Sequence, residues 1–514
     1  MSKTIIIIGA GLAGLSAALQ AAENGCNVKL VSSLPSERAQ SVMAEGGINA
    51  ALNTKDENDS PEEHFTDTIK AACGLADPNA VWGMTQAAPE LVHWLLKLGV
   101  KFNMSGYDDV DLRNFGGQKK KRTAFAQSDT GKQIMTAMID AVRRKEASGM
   151  VERFSHHSFL TLRLCGNICC GCVIRDEYSQ ETVELPGDAV IVATGGMHGL
   201  FGNTTGSLSN TGEVTAELFR LGVPLVNGEM IQYHPTTVEC GGKRMLISEA
   251  ARGEGGRLFA LRNNQPWYFM EEKYPELGNL MPRDITAREI WKVSHESEVF
   301  LDMTEISEEI ISNKLSGLAD DCMTYLHKDI RKEPVSVLPG IHYFMGGILV
   351  DEQHRTPIQN LYAAGECCAQ YHGANRLGGN SLLGALYGGR VAAKSACEQA
   401  DVVDLSCATQ IDFPPASQIS EIKQLNKVMQ ETMGVVRNEN TLLNGIQTVQ
   451  ALTGNLPLLG MAVLKSALAR KESRGAHWRE DYPKSNDDDY LKTTVARFDG
   501  KQIQISFVPV PERR

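Results

Sequence analysis

The sequence predicts an α/β fold that begins with a Rossmann-like dinucleotide-binding unit. An apolar run at residues 5–8 leads into Gly9-Ala-Gly11-Leu-Ala-Gly14, and an alanine-rich segment then leads to a second apolar run at residues 27–31. Strand, glycine turn, helix and strand in this order form a βαβ unit, in which GxGxxG is a dinucleotide fingerprint. A third apolar run, at residues 189–193, also ends in a glycine turn and fits a strand that re-enters the same sheet.

Within the fingerprint, the first two glycines let the backbone turn and approach a pyrophosphate, and Gly14 lets the helix pack on the strand. The acid usual at the end of the second strand is replaced by Ser32-Ser33, whose hydroxyls can still bond a ribose. The glycine-bearing loop at residues 38–48 contains Ser41, Gly46 and Gly47. Its position after the second strand predicts that it runs along the bound cofactor.

Composition narrows the class of protein. At 514 residues the chain is long enough for two or three domains, and its net charge of −11 argues against nucleic acid and anionic membrane as partners. Residues 1–8 contain no secretory signal, and no apolar run reaches the length of a membrane span. Twelve irregularly spaced cysteines fit a reducing compartment better than a disulfide framework. We therefore expect a cytoplasmic protein without direct membrane insertion, in which any membrane contact goes through a partner.

The segments after the βαβ unit are predicted from periodicity and charge. Residues 64–102 have the spacing of two helices, and residues 128–144 that of another. The acidic stretch 56–63 and the basic run 118–122 both fit solvated loops, and for the basic run an anion-steering patch is the alternative. Four cysteines between residues 165 and 172 match no standard metal-ligand spacing and fit a strand of a β-meander.

Polar side chains beside glycine or proline recur in the second half of the chain. His234 precedes a proline, Arg252 a Gly-Glu-Gly-Gly run, Arg283 follows a proline, and His342 and Arg376 lie beside glycines. Two histidines and three arginines in such turns predict a site for a small dianion with an acid–base relay. Residues 361–382 add an apolar strand, Glu366 and a Gly-Gly-Asn-Ser helix start, which suits a reduced flavin or a carboxylate.

With these residues in hand, the chain resembles the flavoprotein subunit of fumarate reductase and succinate dehydrogenase, a superfamily that includes L-aspartate oxidase. The resemblance extends from Gly9-Ala-Gly11 to Arg474-Gly-Ala-His477. It rests on His-Pro-Thr, Arg-Gly-Glu-Gly-Gly, Pro-Arg-Asp, His-Tyr-x-Met-Gly-Gly and His-Gly-Ala-Asn-Arg-Leu-Gly-Gly-Asn-Ser. It implies a discontinuous FAD-binding domain at 1–235 and 341–400, an inserted α+β capping domain at 236–340, a C-terminal helical domain at 401–480 and a β-containing segment at 481–514.

The resemblance also implies hydride transfer between flavin N5 and a carbon–carbon bond flanked by carboxylates. Arg283 would then donate the proton, with Glu249 and Arg252 as its relay to solvent. His234, Ser248, His342 and Arg376 would bind the two carboxylates and align the substrate over the flavin. The residues expected to bind FAD are Gly9, Ala10, Gly11, Gly14, Ser32, Ser33, Ser41, Gly46, Gly47, Ala193, Thr194, Gly195, Glu213, Glu366, Ser381 and Leu382.

Some positions depart from the family pattern. Gln40 stands where the respiratory enzymes have the histidine that links covalently to FAD, so we expect non-covalent FAD and the reductive direction. Ser248 replaces threonine but keeps the hydroxyl, whereas Phe344 replaces threonine in His-Tyr-Thr-Met-Gly-Gly and could reshape the pocket. The helical segment between Arg376 and Arg470 is also shorter than in the respiratory subunits.

The leading hypothesis is reduction of fumarate or a related enoate to succinate. L-aspartate oxidase is the main alternative, but Phe115 before Gly116-Gly117 and Leu377-Gly-Gly match fumarate reductases. A reductase of another 2-enoate, prompted by Phe344, and a flavin-binding redox-sensing subunit without turnover are the other readings. Because the sequence contains no haem motif, no convincing cluster motif and no second dinucleotide fingerprint, we expect an iron–sulfur partner subunit to supply electrons.

Overall fold

The computed structural model describes residues 2–106, 109–401, 411, 413 and 418–514. Its strands are β1 Thr4–Ile8, β2 Asn27–Ser32, β3 Ile48–Asn49, β4 Leu112–Arg113, β5 Thr123–Ala124, β6 Val151–Ser155, β7 His157–Cys165, β8 Ile168–Asp176, β9 Thr182–Pro186, β10 Ala189–Val192, β11 Leu225–Val226, β12 Ile231–Cys240, β13 Lys243–Leu246, β14 Arg257–Arg262, β15 Gln265–Trp267, β16 Val299–Asp302, β17 Val335–Ser336, β18 Leu338–Phe344, β19 Gly347–Leu349, β20 Leu361–Ala363, β21 Cys368–Ala369, β22 Lys492–Phe498 and β23 Ile503–Pro509.

The helices alternate with these strands in the first part of the chain and dominate residues 418–469. They are α1 Leu12–Glu23, α2 Pro61–Ala71, α3 Pro78–Lys97, α4 Thr130–Ala147, α5 Glu213–Arg220, α6 Glu249–Gly253, α7 Phe269–Lys273, α8 Arg283–Ser294, α9 Glu308–Lys314, α10 Ser316–Asp321, α11 Asn380–Gln399, α12 Ile419–Thr432, α13 Glu439–Val449, α14 Asn455–Ala469 and α15 Asp487–Tyr490.

The predicted dinucleotide-binding unit forms the centre of the fold. Its five-stranded sheet has the order β20-β10-β1-β2-β6, and all of its pairings are parallel. The prediction that the chain re-enters this sheet at residues 189–193 is confirmed, since β10 pairs with β1. Helix α1 packs close to β1 because Gly14 has no side chain: a Cβ there would lie 1.9 Å from the Gly9 carbonyl oxygen.

Smaller sheets surround this centre. A four-stranded sheet, β15-β14-β16-β17, and a three-stranded sheet, β13-β12-β18, lie in and beside the segment predicted to cap the site. In the segment predicted to contain β structure, the C-terminal strands β22 and β23 form an antiparallel hairpin, and β22 also pairs with β11. The end of the chain therefore extends a sheet that begins near residue 225. The opening residues of the predicted helical domain, 402–410, 412 and 414–417, lie outside the described residues.

The cysteine-rich segment forms the predicted meander, β7-β8-β9. Cys169, Cys170 and Cys172 are buried free thiols on β8, and Cys165 lies on β7. Across the described ranges, no group of three or more His, Cys, Asp and Glu side chains is arranged to hold a metal ion. In the same ranges, no helix is both long and apolar enough to cross a membrane.

The prediction of solvated loops at residues 56–63 and 118–122 is wrong for Asp59, Gln118 and Arg122, which are buried. Arg122 is fully buried and pairs with Asp59 at 2.8 Å and with Asp67 at 2.9 Å. Lys120 and Lys121 remain at the surface, where they pair with other acidic side chains. Sequence charge alone cannot separate a solvated arginine from a buried one, because the two carboxylates that neutralise it come from a distant segment of the chain.

Candidate active site

One cavity of about 680 Å³ gathers nearly all the predicted site residues. Its walls come from the carboxyl ends of the central strands, the starts of α1 and α11, and the loops around β12, β18 and α8. Of the predicted residues, Gly9, Ala10, Gly11, Ser32, Ser33, Ser41, Gly46, Gly47, Ala193, Thr194, Gly195, Glu213, His234, Ser248, Glu249, Arg283, His342, Glu366, Arg376, Ser381 and Leu382 line it. Gly14 and Arg252 do not: Gly14 packs α1 on β1, and Arg252 lies buried behind Glu249.

One part of the cavity fits a dinucleotide. Gly9 has φ +111°, and a Cβ there would lie 2.2 Å from the Ala193 carbonyl oxygen, so only glycine lets the chain turn between β1 and α1. Gly11, the N-cap of α1, lines the cavity and has no side-chain cap; the Leu12 amide donates to Ser41 Oγ at 3.3 Å, and the positive end of the helix lies at the cavity, where it can attract a phosphate. The buried hydroxyl of Ser32 has no hydrogen-bond partner among the described residues. The glycine turn and the start of α1 are suited to the pyrophosphate of FAD, and the Ser32 hydroxyl is suited to a ribose.

Arg283, Glu249 and Arg252 form a continuous chain of charge-assisted hydrogen bonds. Arg283, at the start of α8, donates from Nε and Nη2 to Glu249 Oε2 at 2.8 and 2.7 Å. Arg252 donates from Nη2 to the other oxygen, Oε1, at 3.2 Å, and the Gly116 amide donates to that oxygen at the same distance. Burial alone would raise the pKa of Glu249, but the charges of Arg283 and Arg252 outweigh it and the pKa lies below its ordinary value.

Two neighbouring histidines line the cavity. The rings of His234 and His342 lie 5.2 Å apart, and burial followed by the charge of Arg283 holds both pKa values well below the ordinary value. Both rings are therefore neutral. The Nδ1 atom of His234 lies 3.0 Å from the Thr236 carbonyl and 3.3 Å from the Thr236 amide, so it can hold or lack a proton. Its Nε2 atom is buried and has no partner among the described residues.

Arg376 provides the second cation of this part of the cavity. Its guanidinium carbon lies 4.3 Å from the centre of the Tyr343 ring, and its buried Nε has no hydrogen-bond acceptor in the described part of the chain. Burial, reinforced by the charge of Arg283, lowers the pKa of Arg376 to about 9. Two arginines with free donors beside neutral histidines form a site for an anion with two negative groups.

Sequence reasoning missed two residues that hold the predicted ones in place. Gln232 accepts a hydrogen bond from Arg283 Nη1 at 3.1 Å and donates to the Arg376 carbonyl at 2.8 Å. The Thr205 hydroxyl lies 2.7 Å from His342 Nδ1. Gln232 could have been found from its position two residues before His234, because alternate residues of a strand share a face. Nothing in the local sequence marks Thr205.

The two phenylalanines predicted to bear on substrate choice lie in different places. Phe115 lines the cavity and presents an uncharged ring there. Phe344 is buried and packs against His198 and Phe201, with ring centres 5.0 and 5.6 Å away, and it does not line the cavity. The expectation that Phe344 could reshape the pocket therefore finds no support in its position.

The chain is similar along its length to known flavoproteins. Residues 4–382 match the FAD binding domain family, and residues 452–513 match the fumarate reductase flavoprotein C-terminal family. The succinate dehydrogenase flavoprotein subunit of Bacillus subtilis is 37% identical over 100% of this chain and 98% of its own length. The 8-methylmenaquinol:fumarate reductase flavoprotein subunit of Wolinella succinogenes is 32% identical over 100% of this chain and 92% of its own length.

Solved structures show the same likeness. The FrdA chain of quinol fumarate reductase from E. coli superposes with a TM-score of 0.89 at 27% identity, covering 99% of this chain and 97% of the FrdA chain. The shared fold therefore includes the capping and C-terminal regions as well as the cofactor-binding sheet.

Proposed function

Because this chain belongs to the fumarate reductase and succinate dehydrogenase flavoprotein family, we propose that it reduces the C=C bond of fumarate, or of a related enoate, to succinate. It is an FAD-dependent oxidoreductase that acts on a dicarboxylate. The observation that carries the proposal is the buried chain Arg283–Glu249–Arg252, whose first member opens into a cavity that also holds His234 and Arg376.

The side chains that bind the dicarboxylate are those whose nitrogen atoms have no hydrogen-bond partner among the described residues. Arg376 Nε and His234 Nε2 are buried without partners among the described residues, and each can donate to a carboxylate oxygen. A bound carboxylate selects the His234 tautomer that carries its proton on Nε2, while Nδ1 accepts from the Thr236 amide. Ser248 and His342 line the same part of the cavity and complete the set. Because both carboxylates are held, the orientation of the double bond is fixed, and part of the binding free energy is used to align it.

Arg283 supplies the proton. FAD, when bound, supplies the hydride that adds to one carbon of the double bond. Glu249 and Gln232 take three of the five N–H donors of Arg283, which leaves two for the substrate. After a guanidinium N–H passes its proton to the second carbon, Arg283 is left neutral. The Glu249 carboxylate, 2.7 Å from Arg283, takes a proton from Arg252 and passes a proton to Arg283, and Arg252 is recharged from solvent. General acid catalysis of this kind accelerates a reaction by roughly 10²–10⁴-fold.

The cofactor and partner follow from two further features. Gln40 lines the cavity at the position of the linking histidine, and its amide forms no bond to a flavin methyl group, so FAD binds non-covalently. This favours the reductive direction, because the resemblance ties the covalent link to succinate oxidation. The relatives are themselves named as subunits, which supports an iron–sulfur partner subunit as the electron donor.

Fumarate fits the site better than aspartate. An amino acid substrate needs a negative group for its ammonium, and the position where aspartate oxidases carry a glutamate is Phe115, whose ring lines the cavity. The cations Arg283 and Arg376 suit two carboxylates and repel an ammonium.

The test is an anaerobic assay of the purified chain loaded with FAD, with reduced viologen as the electron donor. Fumarate should be reduced faster than other 2-enoates that lack one carboxylate, and oxygen-dependent oxidation of L-aspartate should be at background. Rapid aspartate oxidation, or a monocarboxylic enoate as the best substrate, would overturn the proposal.

A further inference from the structure

A network of buried polar side chains contacts the start of α11 without lining the cavity. We call Asn49, Gln118, Thr123, Asn380 and His64 the asparagine network. Asn49, Thr123, Asn380 and His64 have no exposed surface, and Gln118 is 7% exposed. None of the five touches the cavity, although the neighbouring Gly379, Ser381 and Leu382 do. The network therefore acts on the site only through the backbone that it holds.

Asn49 is the centre of this network, and its side chain uses its full hydrogen-bonding capacity. Its Nδ2 donates to the Gly378 carbonyl and to Asn380 Oδ1, both at 2.7 Å. Its Oδ1 accepts from Gln118 Nε2 at 2.9 Å and from Thr123 Oγ1 at 2.6 Å. An asparagine amide has two donors and two acceptor sites, so nothing is left unsatisfied.

The backbone held by Asn49 has an unusual conformation. Gly379, the N-cap of α11, has φ +83° and offers no side chain to cap the helix. A Cβ at Gly379 would lie 2.1 Å from Asn49 Oδ1. The Gly378 carbonyl accepts from Gln118 Nε2 at 3.0 Å as well as from Asn49. Two side-chain amides from other segments thus fix a turn that the helix cannot fix by itself.

The far side of the network is anchored to α2. His64 Nε2 lies 2.9 Å from Asn380 Oδ1, and burial, reinforced by the charge of Arg122, lowers the pKa of His64 to about 3. His64 is therefore neutral and donates to Asn380 from Nε2. Arg122 in turn pairs with Asp59 and with Asp67 of α2.

We propose that Asn49 and Gln118 are positioning residues that set the reduction potential of the bound flavin through the start of α11. The proposal rests on the proposed placement of the isoalloxazine ring at Ser381 and Leu382. The positive end of a helix stabilises a negative charge only within its first turn, so the effect depends on where that turn lies. Reduction of a flavin adds negative charge to the ring. Loosening the turn before α11 weakens binding of reduced FAD more than binding of oxidised FAD.

The test uses the FAD-loaded protein with Asn49→Ala and Gln118→Met, which change no charge. The midpoint potential of the flavin is measured by reductive titration against dyes, together with kcat and KM for fumarate. We expect both variants to keep FAD and to lose about tenfold in affinity for reduced relative to oxidised FAD, which lowers the potential of the two-electron couple by about 30 mV. We expect kcat to fall while KM stays within about twofold.

Asn455→Ala is the matched control. Asn455 is also buried and donates to Glu217 at 2.8 Å, but neither residue lines the cavity. The control should lower the melting temperature and leave the potential unchanged. The proposal fails if Asn49→Ala and Gln118→Met have the flavin potential of wild type while their melting temperatures fall as in the control. The network would then have only a structural role. If Asn49→Ala does not retain FAD, the potential of Gln118→Met decides. The titration needs no fumarate, so a wild-type protein that fails to reduce fumarate would overturn the proposed function and leave this test intact.

Discussion

Replacing Glu249 by glutamine tests the proton relay at its centre. The Glu249 carboxylate is buried between Arg283 and Arg252, at 2.7 and 3.2 Å. Glutamine has nearly the same shape, but it carries no charge and one of its two polar ends is a donor. One of the two arginines therefore faces an N–H group in place of an oxygen.

The effect on stability and turnover can be estimated from this geometry. Removing one partner of a buried ion pair costs about 3–5 kcal/mol. The reaction loses the group that returns a proton to Arg283, so fumarate reduction should fall roughly 10²–10⁴-fold, the usual contribution of acid–base catalysis. FAD should remain bound, because Glu249 is not among the residues expected to bind it and both of its oxygens already accept from Arg283, Arg252 and the Gly116 amide.

The Glu249→Gln variant also changes the dependence of stability on pH. The folded pKa of Glu249 lies below its ordinary value of 4.5, so the carboxylate stabilises the native state above that pH and the contribution is lost as the pH falls through the folded pKa. Urea denaturation at pH 7 and at pH 4 should show a smaller pH effect in the variant than in wild type.

The assay is anaerobic fumarate reduction with reduced viologen, with bound flavin measured by absorbance. Glu217→Gln is the control, since Glu217 is also buried and pairs with Arg220 at 2.7 Å but does not line the cavity. It should lose stability and keep turnover per bound flavin. Turnover of Glu249→Gln within fivefold of wild type would refute the relay.

Three further predictions follow from individual side chains. Acid precipitation should release FAD into the supernatant, since Gln40 lines the cavity where a linking histidine would stand; flavin that stays with the pellet would contradict this. The Glu45 carboxyl lines the cavity, and burial, reinforced by the charge of Asp321 and opposed by Ser248 and Arg113, raises its pKa to about 8. It ionises as the pH rises through 8 and then repels a dianion, so KM for fumarate should increase above pH 8 in wild type and stay flat in Glu45→Gln; parallel profiles would count against it. Phe344→Thr should cost about 3 kcal/mol of stability, the size expected for a large-to-small core change, and leave KM for fumarate within about threefold. A larger change in KM would mean that Phe344 does shape the pocket.

Much of the fold can be predicted from the sequence because the patterns that indicate it lie in neighbouring residues. Residues 5–31 combine a buried strand, a glycine turn and a helix in neighbouring positions, and the structure places β1, α1 and β2 there. The cavity-lining residues were found for a similar reason. His234, Arg283 and Arg376 stand in short motifs beside proline or glycine, and these motifs end strands or begin helices at the cavity wall.

Interactions between distant segments are not visible in the local sequence. Arg122 belongs to a basic run that has the composition of a solvated loop, yet Asp59 and Asp67 neutralise it in the core. Phe344 stands in a substrate motif, but its ring turns away from the cavity to pack against Phe201. In both cases the deciding partner lies at least fifty residues away along the chain.

The sequence by itself determined the βαβ unit, the cofactor class and the set of charged groups available to the substrate, because motif spacing and strand periodicity are properties of adjacent residues. Only the tertiary structure decided which atoms of those groups are free. Glu249 occupies three N–H groups of its two arginines, whereas His234 Nε2 and Arg376 Nε have no partner among the described residues. The physical reason is that a hydrogen bond depends on the position and direction of two groups to within a few tenths of an ångström, and these follow from packing of the whole chain.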